Sequence, residues 1–319
     1  MNPAYVAHGA TLSFVWFLIV NVALSAAIAI AVRFMPRPRS GTPGFWLTLR
    51  LLPALAAVGF VLAVFVPSYL EFEPRESVEA FDVMRLAIAA LGAAIVVAAI
   101  ARAWTAWSRV AQRTRSWMRL AQPLALAETT LPAYAIDVDR PLIALVGLFR
   151  PTLLITRGLI DALTPAELSA VVAHEIGHVR SFDNLKRLAA CAAPDVLRWL
   201  GAASTLEQRW MSAAEHSADR LAGRDSAETR CALASALVKV ARLTSVPPVL
   251  DHVSTLISGG DITSRVEALL TDREAPPLRV RRPLRYGLLA AAAIAVAAGY
   301  LPVLHSVHEV TEILVRALP

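Results

Sequence analysis

Charge is scarce in this sequence. Only 18% of its 319 residues are charged while 56% are hydrophobic, and the apolar residues fall in long uncharged blocks. That excludes an ordinary soluble protein and reads as an integral-membrane one. Cysteine is nearly absent: Cys191 and Cys231 are the two. Both lie in the region assigned below to the cytosol, where a disulfide is not expected, so they are read as small buried apolar residues. Residues 1–10 contain no Lys or Arg, which excludes the basic start of a cleavable signal peptide and makes the first apolar block an anchor. No nucleic-acid motif accompanies the formal charge of +6. Its arginines cluster at the ends of the apolar blocks, so the charge speaks of membrane topology and not of direct nucleic-acid contact.

Four blocks are long enough to span a bilayer: residues 11–32, 45–67, 83–103 and 283–304. Arg33, Arg37 and Arg39 follow the first; Arg109, Arg113, Arg115 and Arg119 follow the third; Arg279, Arg281, Arg282 and Arg285 surround the start of the fourth. An acidic segment from Glu71 to Asp82 separates the second from the third. With basic loops inside, the amino terminus lies outside, residues 104–282 form a cytosolic domain, and residues 305–319 emerge as a short tail outside. Arg50, Arg85 and Arg102 interrupt the blocks near their ends and are expected to reach out to the interface. The localisation is therefore the cell membrane, with the lipid bilayer as the first partner.

Within the cytosolic region, residues 171–180 hold the pattern His-Glu-x-x-His in an apolar helix-forming context. Residues four apart stack on one helix face, so His174 and His178 can aim two imidazoles at one metal with Glu175 beside them. Zinc accepts neutral imidazole, keeps a position open for water and brings that water's pKa to about 7, within reach of a carboxylate base. Glu175 is the candidate base. Thr164, Pro165 and Glu167 read as a capping box with proline at the first helical position. A third ligand is required, and the best candidate lies in residues 213–219, where Glu215 and Asp219 share a face of a later helix. Ala218 and Ala222 leave room there for an approach to Ala173 and Gly177. His216 is the rival ligand.

His-Glu-x-x-His followed by Glu215-x-x-Ala218-Asp219 resembles the glutamate-zincin membrane peptidases, both the HtpX and CAAX-protease group and the BlaR/MecR antibiotic-sensor group. The resemblance implies one zinc per chain held by His174, His178 and Glu215, with Asp219 supporting a ligand histidine. A peptidase domain between the third and fourth spans resembles the BlaR/MecR arrangement more closely. The penicillin-binding domain that follows the fourth span in those sensors is not expected here, so β-lactam sensing is not carried over. Residues 261–270 resemble a segment with one arginine found in both groups, which makes Arg265 a candidate support for the site.

The implied fold is mainly α with a small β-sheet, four transmembrane helices and a gluzincin-like peptidase domain. Tyr134–Val138, Leu142–Leu148 and Thr152–Thr156 read as short strands, the last as the edge to which an extended substrate could add. Residues 184–204 read either as a helical hairpin against the membrane or as the completion of the core. In the tail, His305, His308, Glu309 and Glu312 share a helix face. This suggests either a second metal site or an amphipathic helix lying on the outer surface. Arg265, His216 and His252 are the candidates for stabilising the transition state. The leading expectation is regulatory cleavage of a protein or peptide substrate such as a transcriptional repressor, with a partner membrane protein as a source of sensing. The competitors are an HtpX-like quality-control peptidase and, from another class, a zinc-bound signalling scaffold that docks without cutting.

Overall fold

The structure, a computed structural model, describes residues 2–35, 41–74, 82–126, 129–138, 141–148, 150–224, 226–243, 262–271 and 282–317; over 282–298 the description is of the backbone alone. Helix α1 (Pro3–Phe34) starts at Asn2, whose side chain accepts from the Ala4 N–H. Helix α2 (Pro43–Phe60) is capped by Thr42, then passes through a π turn (Val61–Phe65) into α3 (Val66–Phe72). Pro67 explains the irregularity: it has no N–H to give to the carbonyl four residues back. That carbonyl, Ala63 O, instead accepts from the Tyr300 hydroxyl at 2.7 Å. Helix α4 (Val83–Met118) is capped by Asp82. The stretches Pro3–Phe34, Pro43–Phe72 and Val83–Met118 are long and apolar enough to cross a membrane. At about 1.5 Å per residue, each exceeds a hydrocarbon core of about 30 Å. Helices α1 and α4 approach so closely at Gly92 that a Cβ there would stand 2.6 Å from Phe14 O.

The far end of α4 delivers the chain to a four-stranded sheet of β1 (Gln122–Leu124), β2 (Ala133–Ile136), β3 (Ile143–Val146) and β4 (Thr152–Thr156), in the order β1-β2-β4-β3. β4 is parallel to β2 and antiparallel to β3. This corrects the expectation that Thr152–Thr156 is an edge: β2 and β3 pair on its two sides, so the edges are β1 and β3. β1 is too short to announce itself in sequence, and it caps the side on which β2 would otherwise be open.

Helices α5 (Arg157–Ala162), α6 (Pro165–Arg180), α7 (Asp183–Ala192), α8 (Ala202–Ala222), α9 (Ala227–Leu243) and α10 (Ile262–Leu270) follow, and α11 (Arg282–Ala317) closes the chain. One sheet face, with Ile143, Leu153 and Ile155, packs on Val171 and Val172 of α6, Leu233 and Leu237 of α9 and Leu269 of α10. The other face, with Ile136, Ala144, Val146 and Leu154, is covered by Val110, Trp117 and Met118 of α4. Strand alternation thus puts one core on each side of the sheet.

The turn from α7 to α8 enters between the apolar helices. Val196 packs with Phe17, Leu18, Ala57 and Ile95, while Leu197, Leu206 and Trp210 pack with Ile28, Val32 and Trp46. Asn21 donates to Pro194 O at 2.7 Å and accepts from the Val196 N–H at 3.3 Å. Arg102 donates to Ala193 O. Arg50, expected to reach for the interface, is 1% exposed. It stays inside because its fork is fully used: Nε donates to Glu207 at 2.8 Å, Nη1 to Asp195 at 2.5 Å and Nη2 to Ala190 O at 2.7 Å. Residues 184–204 therefore dock the half that carries the sheet into the half built of the apolar helices, although Trp199 and Leu200 remain exposed.

The tail is no separate surface helix. Residues 305–317 continue α11, with Leu304 and Thr311 buried and Val307 and Val315 packed beside Tyr5, Phe65 and Tyr69. The cysteines are outside the core: Cys191 is half-buried, its thiol 3.9 Å from Arg102 O, and Cys231 is exposed.

Candidate metal centre

Helix α6 is set by its amino terminus. Thr164 accepts from the Glu167 N–H, Glu167 reaches back to the Thr164 N–H at 2.8 Å, and Pro165 occupies the first turn. Three turns on, His174, Glu175 and His178 are 0%, 0% and 2% exposed. Helix α8 crosses α6 where Gly177 meets Ala218; a Cβ on Gly177 would stand 3.2 Å from Ala218 Cα. This close approach, foreshadowed by the small residues, brings Glu215 over the two imidazoles.

The imidazole nitrogens of His174 and His178 and a Glu215 oxygen lie within 4.8 Å of one another. His174 Nε2 is 3.4 Å from Glu215 Oε2, His178 Nε2 is 3.6 Å from Glu215 Oε1, and the two Nε2 atoms are 3.2 Å apart. Atoms bound at about 2.0–2.1 Å to one tetrahedral ion would be separated by roughly 3.4 Å. Both Glu215 oxygens are buried without accepting a hydrogen bond, although Arg265 Nη1 lies 3.0 Å from Oε2. Buried oxygens left in this state are costly unless an ion completes them. The residues present therefore fit a metal.

The outward nitrogens are held too. His174 Nδ1 lies 2.9 Å from Asp219 Oδ1 and His178 Nδ1 lies 2.7 Å from Asp183 Oδ2. Arg265, 1% exposed, grips Asp219 through Nε at 2.8 Å and Nη2 at 2.7 Å. Sequence reasoning missed Asp183. Ser181 and Phe182 end α6, Phe182 takes a left-handed φ of 53°, and Asp183 opens α7 pointing back at His178. The available signal was an acidic residue just past the end of the motif helix, where the chain has to turn.

Among the described residues, four carboxylates are buried here, Glu175, Asp183, Glu215 and Asp219, against the one guanidinium of Arg265. Burial pulls both imidazoles down, but the carboxylates outweigh it. Asp219 and Glu215 raise His174, and Asp183 and Glu215 carry His178 up to about 10. Glu215 is held well below the usual carboxylate range: burial opposes this, and the two imidazoles overcome it. Both imidazoles thus hold protons more tightly than a free histidine does. A divalent ion would replace those protons, since ligating imidazole is neutral. His216 is half-buried and outside the trio, with its imidazole pushed down by burial. His252 lies outside the described residues.

Two imidazoles from α6, a carboxylate from α8 and a buried acid beside them make a donor set that fits a metal ion. The profile of Peptidase family M48 matches residues 108–273, over half of the chain, and the chain belongs to that family. It is similar to the Plastoglobule-localized metallopeptidase 48, chloroplastic, of Arabidopsis thaliana, with 37% identity over 83 residues. That alignment covers 23% of this chain and 24% of the relative, so it spans about a quarter of the relative's length.

Proposed function

We propose that the chain is an integral-membrane zinc endopeptidase with its centre on the cytosolic side, which cuts one particular regulatory protein, such as a transcriptional repressor. The observation that carries the reading is the buried trio His174, His178 and Glu215, in which neither Glu215 oxygen accepts a hydrogen bond and Oε2 has only the ion pair with Arg265 at 3.0 Å. Zinc, when bound there, would polarise the scissile carbonyl and make water acidic enough to react near neutral pH. Glu175 would take the proton from that water and pass it to the leaving amine. Asp219 and Asp183 would fix the ring orientation of His174 and His178, and Arg265 would hold Asp219 against His174. An extended substrate would add to the outer edge of β3, now that β4 is interior, in the manner of an added strand, displacing Asn184 Nδ2 from Leu145 O, where it donates at 3.1 Å.

The apolar stretch of α11, residues 286–304, would supply a fourth span; the arginine-rich ends of the blocks would keep residues 104–282 in the cytosol. The regulatory reading is favoured over HtpX-like quality control by one feature. His174, Glu175, His178 and Glu215 are at most 2% exposed, so a peptide reaches Glu175 only after neighbouring elements part. A gated enzyme suits a signal better than continuous clearance. A scaffold that does not cut would have no use for Glu175.

The test is Glu175→Gln beside Glu215→Ala, both purified in detergent. The first should lose cleavage by at least about 10²-fold yet keep about one zinc; the second should lose both. Cleavage is followed on a co-expressed neighbouring repressor and on a misfolded membrane protein. Full activity in the glutamine variant sinks the base assignment. An intact repressor with accumulating misfolded protein hands the reading to quality control.

A further inference from the structure

We propose that Glu73, His308 and Glu312 form a second metal site, distinct from the His174 centre, which takes an exchangeable divalent ion of the zinc or manganese type. His308 and Glu312 are one turn apart on α11, and packing of α11 against α3 brings them to Glu73 at the end of α3. One ligand atom from each lies within 4.8 Å of the other two, and His308 Nδ1 is 4.0 Å from Glu73 Oε2. The side chains are 11%, 23% and 34% exposed for Glu73, His308 and Glu312. They are half-buried, therefore, with a route for an ion to enter.

The backbones around them are tied in place. Ser68 Oγ donates to Leu304 O at 2.7 Å, Tyr300 OH to Ala63 O at 2.7 Å, and Trp16 Nε1 to Thr311 Oγ1 at 3.0 Å. The Phe72 ring covers one side, 5.6 Å from the His308 ring and 5.5 Å from that of His305. Drawing the ligand atoms in to a separation of about 3.4 Å needs only side-chain rotation of roughly 1 Å. Imidazole excludes an all-oxygen calcium or magnesium site, and the carboxylates disfavour Cu(I), which leaves the borderline first-row ions. Three protein ligands leave positions for water, as in a labile site rather than a closed structural one.

The site sits at the end of the bundle where Tyr5 OH donates to Tyr69 O. Ile28 and Val32, which touch α8 of the peptidase half, are at the other end of α1. In the orientation proposed above this is the extracytoplasmic face, and the ion would be a stimulus sensed there; the sidedness rests on that reading, while the binding does not.

The experiment uses the full chain in detergent, stripped with chelator and titrated with zinc. Two equivalents are expected, one tight and one weaker. His308→Ala and the conservative Glu73→Gln and Glu312→Gln should each weaken the second by at least about tenfold and spare the first. Glu215→Ala should remove the first and spare the second. A single equivalent in the wild type, or a second one indifferent to His308→Ala and Glu73→Gln, overturns the site. Loss of the tight equivalent alone would count against the peptidase centre instead.

Discussion

Helix α8 carries two clusters of buried charge about 12 Å apart along its axis. Toward its start, Glu207 shares Arg50 with Asp195 and Ala190 O, and every nitrogen of that guanidinium has an acceptor. Further along, Glu215 faces two imidazoles with neither oxygen accepting a hydrogen bond, Oε2 paired only with Arg265, and carboxylates outnumbering that guanidinium. Arg50 and Asp195 are as buried as Glu215, although Glu207 is 28% exposed, so burial alone does not distinguish the two clusters. What differs is closure. A network whose donors and acceptors match is architecture, and one with oxygens left over is waiting for a ligand. The Arg50 cluster joins all three apolar stretches to the peptidase half, because Asn21 and Arg102 hold the same turn.

Breaking the closed cluster should have the largest effect on stability. Arg50→Met leaves the Asp195 carboxylate buried without its cation, a loss of about 3–5 kcal/mol. Adding Asp195→Asn should return part of it, since the uncompensated charge goes. Unfolding in detergent, followed by tryptophan fluorescence with urea, measures both. An unchanged midpoint for Arg50→Met would erase the distinction between the clusters.

The open cluster should answer in metal affinity. Asp183→Ala removes the acceptor that orients His178 and should weaken zinc binding 10–100-fold, about 1.4–2.7 kcal/mol. Chelator competition reads this directly. Affinity equal to wild type would make Asp183 a helix-cap residue and nothing more.

Legibility follows the same division. The helical motif, its capping box, the partner pair Glu215 and Asp219, and Arg265 could be read because each is local or matches a spaced pattern. Gly177 and Ala218 were legible as small residues, since close approach requires them. Arg50 was not, because an arginine in an apolar run looks the same whether it reaches water or finds Asp195 at a sequence separation of 145. The same holds for Glu73 with His308, for Asp183 behind a left-handed turn, and for β4, whose interior place depends on the short strand β1 and the order of pairing.

A third cluster, around the buried carboxylate of Glu167, gives the smallest and most specific test. Glu167 lies on α6 with the metal motif but is closed like the Arg50 cluster: Lys239 Nζ donates to Oε2 at 2.7 Å and Ser235 Oγ to Oε1 at 2.6 Å, and the Thr164 N–H completes the cap. Burial pushes this carboxyl up, yet Lys239, Ser235 and Thr164 together hold it down at about 2, against an ordinary 4.5. A folded pKa below the unfolded one adds stability that is complete above the unfolded value and is lost as pH falls toward the folded one. The window is therefore pH 4.5 down to about 2. The full shift would correspond to roughly 3 kcal/mol, but Lys239 is 39% exposed, and screening reduces this to about 1–2 kcal/mol. Glu167→Gln should be less stable than wild type by that amount at pH 6. The gap should narrow as both are taken to pH 3 and close only toward pH 2, because other acids titrate in both proteins and cancel in the difference. A gap that stays constant through the window would mean that Glu167 contributes packing and a neutral cap rather than charge, and that the closed clusters of this protein do not share one electrostatic basis.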